Sequence, residues 1–254
     1  MELPPLTPGT LYLVATPIGN LEDMTLRAIR TLKECDVVAA EDTRRTGQLL
    51  KHFGISKPLL SYFQFNEARR SEEILARLTR GEKVALVSDA GTPGISDPGE
   101  RVVCAAREAG LRVESVPGPC ALVAALTASG LPTHALHFSG FLPHKSGQRR
   151  KQLEKLKSLE GTLVLYESPY RIEKLLGELL DIMPHSKVVL ARELTKKFEE
   201  FLFGTPASLL EIVKKRSLKG EFVVLIENTA SEEPELDAES PGESLANEPV
   251  PPVE

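Results

Sequence analysis

Residues 84–100 read VALVSDAGTPGISDPGE. Four apolar residues, Val84 to Val87, run straight into Ser88 and Asp89. Gly91, Gly94 and Gly99 follow, with Pro93, Pro98 and a second aspartate, Asp97, among them. A short continuous apolar run bounded by turn residues predicts a strand buried on both faces. The glycines predict a loop whose backbone can approach a ligand closely. The fold then depends on whether other strands end in the same way.

Three others do. LYLVAT (11–16) leads into TPIGNLEDMT (16–25), DVVAA (36–40) into EDTRRT (41–46), and LRVESV (111–116) into PGPCA (117–121). Helical patterns lie between the strands. TLRAIRTLKEC (25–35) has apolar positions 26, 29 and 32. RRSEEILARLTR (69–80) closes at Gly81, and PGERVVCAAREAG (98–110) runs from a proline to a glycine. Buried strands alternating with helices predict an α/β fold with a mainly parallel sheet. Ligands bind such sheets at the carboxyl ends of the strands, so four loops at one edge predict one shared ligand wall.

A Pro117-Gly118-Pro119 break follows. LHFSG (136–140), TLVLYES (162–168), KVVLARE (187–193), FEEFLFG (198–204) and GEFVVLIEN (220–228) predict a second sheet, with one helix, PASLLEIVKKR (206–216), between the last two. The expected organisation is residues 1–117, residues 118–229, and a tail from 230 to 254.

Composition narrows the class. A chain of 254 residues, 41% apolar, can bury two cores. No apolar run reaches the roughly eighteen residues of a membrane helix. The start, MELPPLTPGT, lacks the pattern of a signal peptide, and the three cysteines form no C-x-x-C. Both point to a reducing cytoplasm, without disulfides or a zinc site. The net charge of −5 is a product of the tail, which holds eight of the 36 acids and no base. The body has 31 bases against 28 acids, about +3. Poor in large apolar residues, the tail is expected to be disordered.

Absent motifs exclude the commoner nucleotide folds. There is no G-x-G, no P-loop, no G-x-S-x-G and no H-E-x-x-H. His134 and His137 have no carboxylate or thiol at a helpful spacing, so no metal is expected.

TPIGNLEDMTLRA, AEDTRRT, LVSDAGTPGISDPG, VPGPCA, YESPYR, ARELTK and KGEFV resemble, in order, the ribosomal RNA small-subunit methyltransferase I family. The resemblance runs from about Gly9 to Asn228. It implies the two-domain tetrapyrrole-methylase fold, with mainly parallel or mixed sheets flanked by helices and a cofactor cleft between them. It implies methyl transfer from S-adenosylmethionine to the ribose 2′-oxygen of a cytidine in the decoding region. Gly19, Thr25, Leu26 and Ala28 match the wider fold's first loop, whereas Pro17, Ile18 and Asn20 depart from it. Thr92 replaces the aspartate of its Gly-Asp-Pro signature. Corrins and porphyrins are the wider fold's usual substrates, and these departures argue against one here. A tetrapyrrole methyltransferase and a non-enzymatic RNA-binding protein remain the alternatives.

Methyl transfer to an oxygen is largely a matter of positioning. The sulfonium loses its charge in the transition state, so glycine-proline loops suit the site better than a ring of carboxylates. On the resemblance, Ser88, Asp89, Ala90, Gly91, Thr92, Pro93 and Ile95 contact the cofactor. Pro119, Cys120 and Ala121 form a neighbouring wall. Glu193, Leu194, Lys219, Gly220, Glu221 and Phe222 close it from the second domain. Asp89, Glu193 and Glu167 are candidate bases, although Asp89 fits a turn cap and Glu193 a pair with Arg192 equally well. Arg44, Arg45, Lys145, Arg149, Arg150 and Lys151 are candidate phosphate contacts. Tyr170 and Arg171 are candidate base contacts. Relatives on this fold are usually homodimers, and a homodimer is expected here.

Overall fold

The computed structural model of the chain describes residues 4–228; the expected acidic tail lies outside them. Strands β1 (Thr10–Val14), β2 (Val37–Ala40), β3 (Leu59–Ser61), β4 (Val84–Val87) and β5 (Arg112–Val116) form one sheet in the order β3-β2-β4-β1-β5. Every pairing in it is parallel. VALV is the central strand, with Val84 opposite both Leu11 and Val37. Its two faces explain the unbroken apolar run. Val84 and Leu86 pack with Ile74 and Leu78 of α3 (Glu67–Thr79) and Val102 of α4 (Glu100–Glu108). Ala85 and Val87 pack with Ala28 and Leu32 of α1 (Leu26–Glu34) and Leu50 of α2 (Thr43–His52). A polar side chain at any of the four would lose water without gaining a partner.

The second sheet contains β6 (Leu136–Phe141), β7 (Gly161–Glu167), β8 (Val188–Arg192), β9 (Glu200–Gly204) and β10 (Phe222–Asn228), in the order β6-β7-β10-β8-β9. β6 and β7 are parallel and the other pairs antiparallel, so this sheet is mixed. Helix α5 (Ala121–Ser129) covers one face, setting Ala125 and Leu126 against Val189, Ala191, Val223 and Leu225. Helices α6 (Ser146–Lys157), α7 (Ile172–Ile182) and α8 (Pro206–Lys215) pack Leu153, Leu175, Leu179 and Leu209 into the other.

Several elements exceed the sequence reading. β3 has only three residues, too few to display a period. ALVAALTAS in α5 is nearly apolar all round, so no polar stripe reveals its helical turn. α2 and α7 were also not separated from their neighbours. Helix α4 begins at Glu100 rather than Pro98, because Gly99 has φ +149°, a conformation outside the helix. Pro98 and Gly99 therefore belong to the loop after β4.

Candidate functional site

Four loops at the carboxyl edge of the first sheet are tied into one wall. Thr16 and Gly91 exchange both backbone hydrogen bonds, at 2.8 and 2.9 Å, joining the loop after β1 to the loop after β4. Gly91 has φ +81°, and a Cβ there would lie 3.3 Å from Ile18 Cγ2. The Asp42 N–H donates to Asp89 Oδ1 at 3.0 Å, joining the loop after β2. Thr92 Oγ1 donates to the Pro119 carbonyl at 3.1 Å, joining the loop after β5.

The second sheet supplies the facing wall. A Cβ on Gly19 would collide with Lys196, and one on Gly220 with Glu193, so both glycines mark close approaches between segments. Tyr166 of β7 accepts the Leu122 N–H at 3.1 Å, anchoring the start of α5. Between the walls lies a cleft of about 430 Å³. Its lining runs from Ile18, Glu41 and Arg45 through the loop after β4, and on to Tyr166, Glu167, Leu194, Lys196, Phe222 and Val223. Among the described residues, the non-glycines with positive φ are Ser96 (+60°), Glu193 (+50°) and Thr195 (+65°). Ser96 and Glu193 line the cleft, and Thr195 sits between two residues that do. Such backbone costs about 1–3 kcal/mol per residue and concentrates where a site requires it.

Six carboxylates line the cleft: Glu41, Asp89, Asp97, Glu167, Glu193 and Glu221. The expectation of a site without a carboxylate ring is therefore corrected. Four of them lie beside a Lys or Arg, while Glu41 and Asp97 have no such ion pair among the described residues. Asp89 pairs with Arg45 at 3.1 Å. Lys196 bridges Glu193 at 2.9 Å and Glu221 at 3.1 Å. Burial opposes ionisation of Glu193, but Lys196 and the Glu221 N–H outweigh it and hold the carboxyl below its ordinary range. Burial raises Glu167, although Ser168 N–H donates to it at 2.7 Å and Arg171 lies 3.3 Å away. Burial also raises Glu41, against the Asp89 N–H. Asp97 is pushed up to about 7, by burial first and then by the Glu41 carboxylate.

Of the residues expected at the cofactor, Asp89, Ala90, Gly91, Thr92, Ile95, Cys120, Ala121, Glu193, Leu194, Glu221 and Phe222 line the cleft. Ser88 and Pro119 line smaller hollows beside it. Three expected residues lie outside its wall. Pro93 is buried, the Lys219 carbonyl accepts Arg192 Nε at 3.2 Å, and Gly220 packs under Glu193. Ile18, Glu41, Ser96, Asp97, Tyr166 and Lys196 were not assigned to the cleft. The signal for Asp97 was its place in the same glycine loop as Asp89.

The expected RNA contacts divide. Arg44, Arg45, Lys145, Lys151 and Tyr170 are exposed. Arg44 is held by Asp42, and Arg150 pairs with Asp181 at 2.7 Å. Arg149 and Arg171 face inward and are corrected. Arg149 is 3% exposed; it binds Glu178 through Nε and Nη2 and the Pro143 and His144 carbonyls through Nη1. Arg171 donates to the Leu142 carbonyl at 2.7 Å. The sequence held a clue for Arg149. It precedes Leu153 and Leu156 by four and seven residues, which puts it on the buried stripe of α6. His137 Nε2 lies 2.9 Å from the Glu160 carbonyl, and no group of three or more metal-ligating side chains occurs among the described residues. No described helix is long and apolar enough to cross a membrane.

Comparison with known proteins places this geometry. The family model for Tetrapyrrole (Corrin/Porphyrin) Methylases matches residues 10–210. A curated protein of Halalkalibacterium halodurans, ribosomal RNA small subunit methyltransferase I, is 50% identical over 228 residues, 89% of this chain and 79% of that one. The crystal structure of uroporphyrin-III-C-methyltransferase from Thermus thermophilus is 26% identical, with a TM-score of 0.61 over 87% of this chain and 96% of that one. Another structure from that organism, complexed with S-adenyl homocysteine, is 22% identical, with a TM-score of 0.60 over 86% and 97%. The chain belongs to the tetrapyrrole methylases and, within them, to the ribosomal RNA small subunit methyltransferase I family.

Proposed function

We propose that this chain transfers a methyl group from S-adenosylmethionine to the ribose 2′-oxygen of a cytidine in the decoding region of small-subunit ribosomal RNA. The observation that carries the reading is the cleft between the two sheets, in a chain half identical to a ribosomal RNA methyltransferase. The residues fit the cofactor. About 430 Å³ lies within the roughly 300–1,000 Å³ of small-molecule sites. Gly91 leaves space beside Ile18 that a side chain would fill, and Ile95, Leu194, Phe222 and Val223 offer apolar surface. A fold relative holds S-adenyl homocysteine.

When bound, S-adenosylmethionine supplies a methyl carbon on a positively charged sulfur. The chain's own task is to hold the target oxygen in line, about 3 Å from that carbon. Asp89 to Thr92, Ile95, Cys120, Ala121, Glu193, Leu194, Glu221 and Phe222 are the holding residues in this reading. Pairing or burying most of the carboxylates limits how strongly the cleft favours the sulfonium ground state over a transition state that is losing charge. Asp89 and Glu193 each already accept from a cation and a backbone N–H, so we assign them to holding the loops. Exposed Arg44, Arg45, Lys145 and Lys151 supply cations for phosphates, and Tyr170 a face for a base.

We take residues 1–117 and 118–229 as two units, since α5 packs on β8 and β10. We also take the working form to be a homodimer in the cytoplasm. The test is methylation of isolated small ribosomal subunits, followed by mass mapping of ribose methyls. A 2′-O-methylcytidine in the decoding region is the expected result. Transfer to a corrin precursor with none to RNA would refute it.

A further inference from the structure

Asp97 is a cleft carboxyl group with neither a cation nor a backbone N–H paired to it among the described residues; the Ser88 hydroxyl is its hydrogen-bonding neighbour. Asp97 stands between Ser96 and Pro98 in the loop after β4 and lines the cleft. No Lys or Arg pairs with it among the described residues, whereas Asp89, Glu167 and Glu193 all have cations within 3.3 Å. The nearby Ser88 hydroxyl opposes its rise in proton affinity but donates to the Ala90 carbonyl at 3.3 Å. The titratable groups sharing this part of the cleft are Glu41 after β2, Arg45 of α2, Asp89, Cys120 before α5, and Tyr166 and Glu167 of β7.

The loop lies against the second sheet at Gly140. Ser96 sits at φ +60°, and a Cβ on Gly140 of β6 would come within 2.6 Å of Ser96 Oγ. The strands shift register between Phe138 and Gly140, so a bulge in the second sheet receives this turn of the first. Left-handed backbone at a non-glycine residue clusters at positions that a site requires.

We infer that Asp97 is the group that takes the proton from the hydroxyl being methylated. This rests on the function proposed above. The proton passes to an Asp97 oxygen as a lone pair of the hydroxyl oxygen forms the bond to the methyl carbon. The electrons of the carbon–sulfur bond remain on sulfur and cancel its positive charge. A base works best when its pKa lies near the working pH. Burial and Glu41 bring Asp97 up to about 7, whereas Lys196 holds Glu193 below the ordinary range.

The experiment compares wild type, Asp97→Asn and Asp97→Glu on small ribosomal subunits. Wild-type kcat should rise with pH through about 7. Asp97→Asn should lower kcat on the order of 10²–10⁴-fold and lose that limb, with affinity for S-adenosylmethionine by calorimetry unchanged. Asp97→Glu should restore part of the rate. A readout without cofactor accompanies these. The native acid is neutral up to about 7 whereas the unfolded one ionises near 3.8, so wild-type stability falls between those pH values. Asp97→Asn should escape that fall and melt higher than wild type above neutral pH. An Asp97→Asn enzyme with the wild-type rate and pH limb overturns the inference alone. A wild type that binds cofactor yet leaves RNA unmethylated overturns the proposed function and the inference with it. If Asp97→Asn does not fold, a wild-type profile with no limb near 7 overturns the inference.

Discussion

Replacing Arg149 by methionine should cost stability and spare RNA binding. The guanidinium gives Nη2 to Glu178 Oε1 at 2.7 Å and Nε to Oε2 at 2.5 Å, and Nη1 reaches two carbonyls at 3.2 and 3.1 Å. Glu178 is 7% exposed, and without Arg149 it keeps only the Ser146 hydroxyl, at 2.6 Å. Removing one partner of a buried ion pair costs about 3–5 kcal/mol, because the other charge stays buried. For a chain of this size that corresponds to a fall of about 6–20 °C in Tm. Arg149→Met with Glu178→Leu should recover most of the loss, since both charges then leave together. Thermal melts and RNA titrations over a salt series provide the assay. The salt slope of Arg149→Met should match wild type. A variant that melts like wild type but binds RNA more weakly would refute the inward-facing role.

The same pair gives a pH prediction. Burial pushes the Glu178 carboxyl up, but Arg149 and Ser146 outweigh it and hold it below the ordinary 4.5. Its contribution is present above that pH and lost as pH falls through the native value, so the gap between wild type and Arg149→Met should shrink in acid. Thr92→Arg should abolish S-adenosylmethionine binding in calorimetry, because a long side chain enters the cleft; retained affinity would mean the site is elsewhere. Its stability cost should be near the roughly 1 kcal/mol of the lost bond to Pro119. Lys145→Ala and Lys151→Ala should each lower the salt slope of RNA binding by about 1, and an unchanged slope would remove that lysine from the phosphate contacts.

The division between sequence and structure runs through particular residues. VALV announced a two-sided buried strand because both faces of β4 demand apolar side chains, and that pattern is local. The glycines of the next loop likewise announced an unusual backbone, and Gly91 and Gly94 do have positive φ. Ordered motifs over nearly the whole chain identified the family. The resemblance allowed for a mixed sheet, but the strand order of the second sheet and the direction of each pair were not legible, because antiparallel and parallel strands can have the same composition when both faces are covered.

Charge pairing was harder to read. Arg149 and Lys151 look alike in HKSGQRRK, and only the spacing of Arg149 to Leu153 and Leu156 hints that the apolar stripe of α6 buries one and exposes the other. Asp89 and Asp97 are eight residues apart in one loop, and sequence alone favoured the first. Tertiary packing reverses the order. It brings Arg45 and the Asp42 N–H to Asp89, whereas at Asp97 burial and the Glu41 carboxylate outweigh the Ser88 hydroxyl. A residue's type is written in the chain, but its proton affinity depends on which groups the fold places around it.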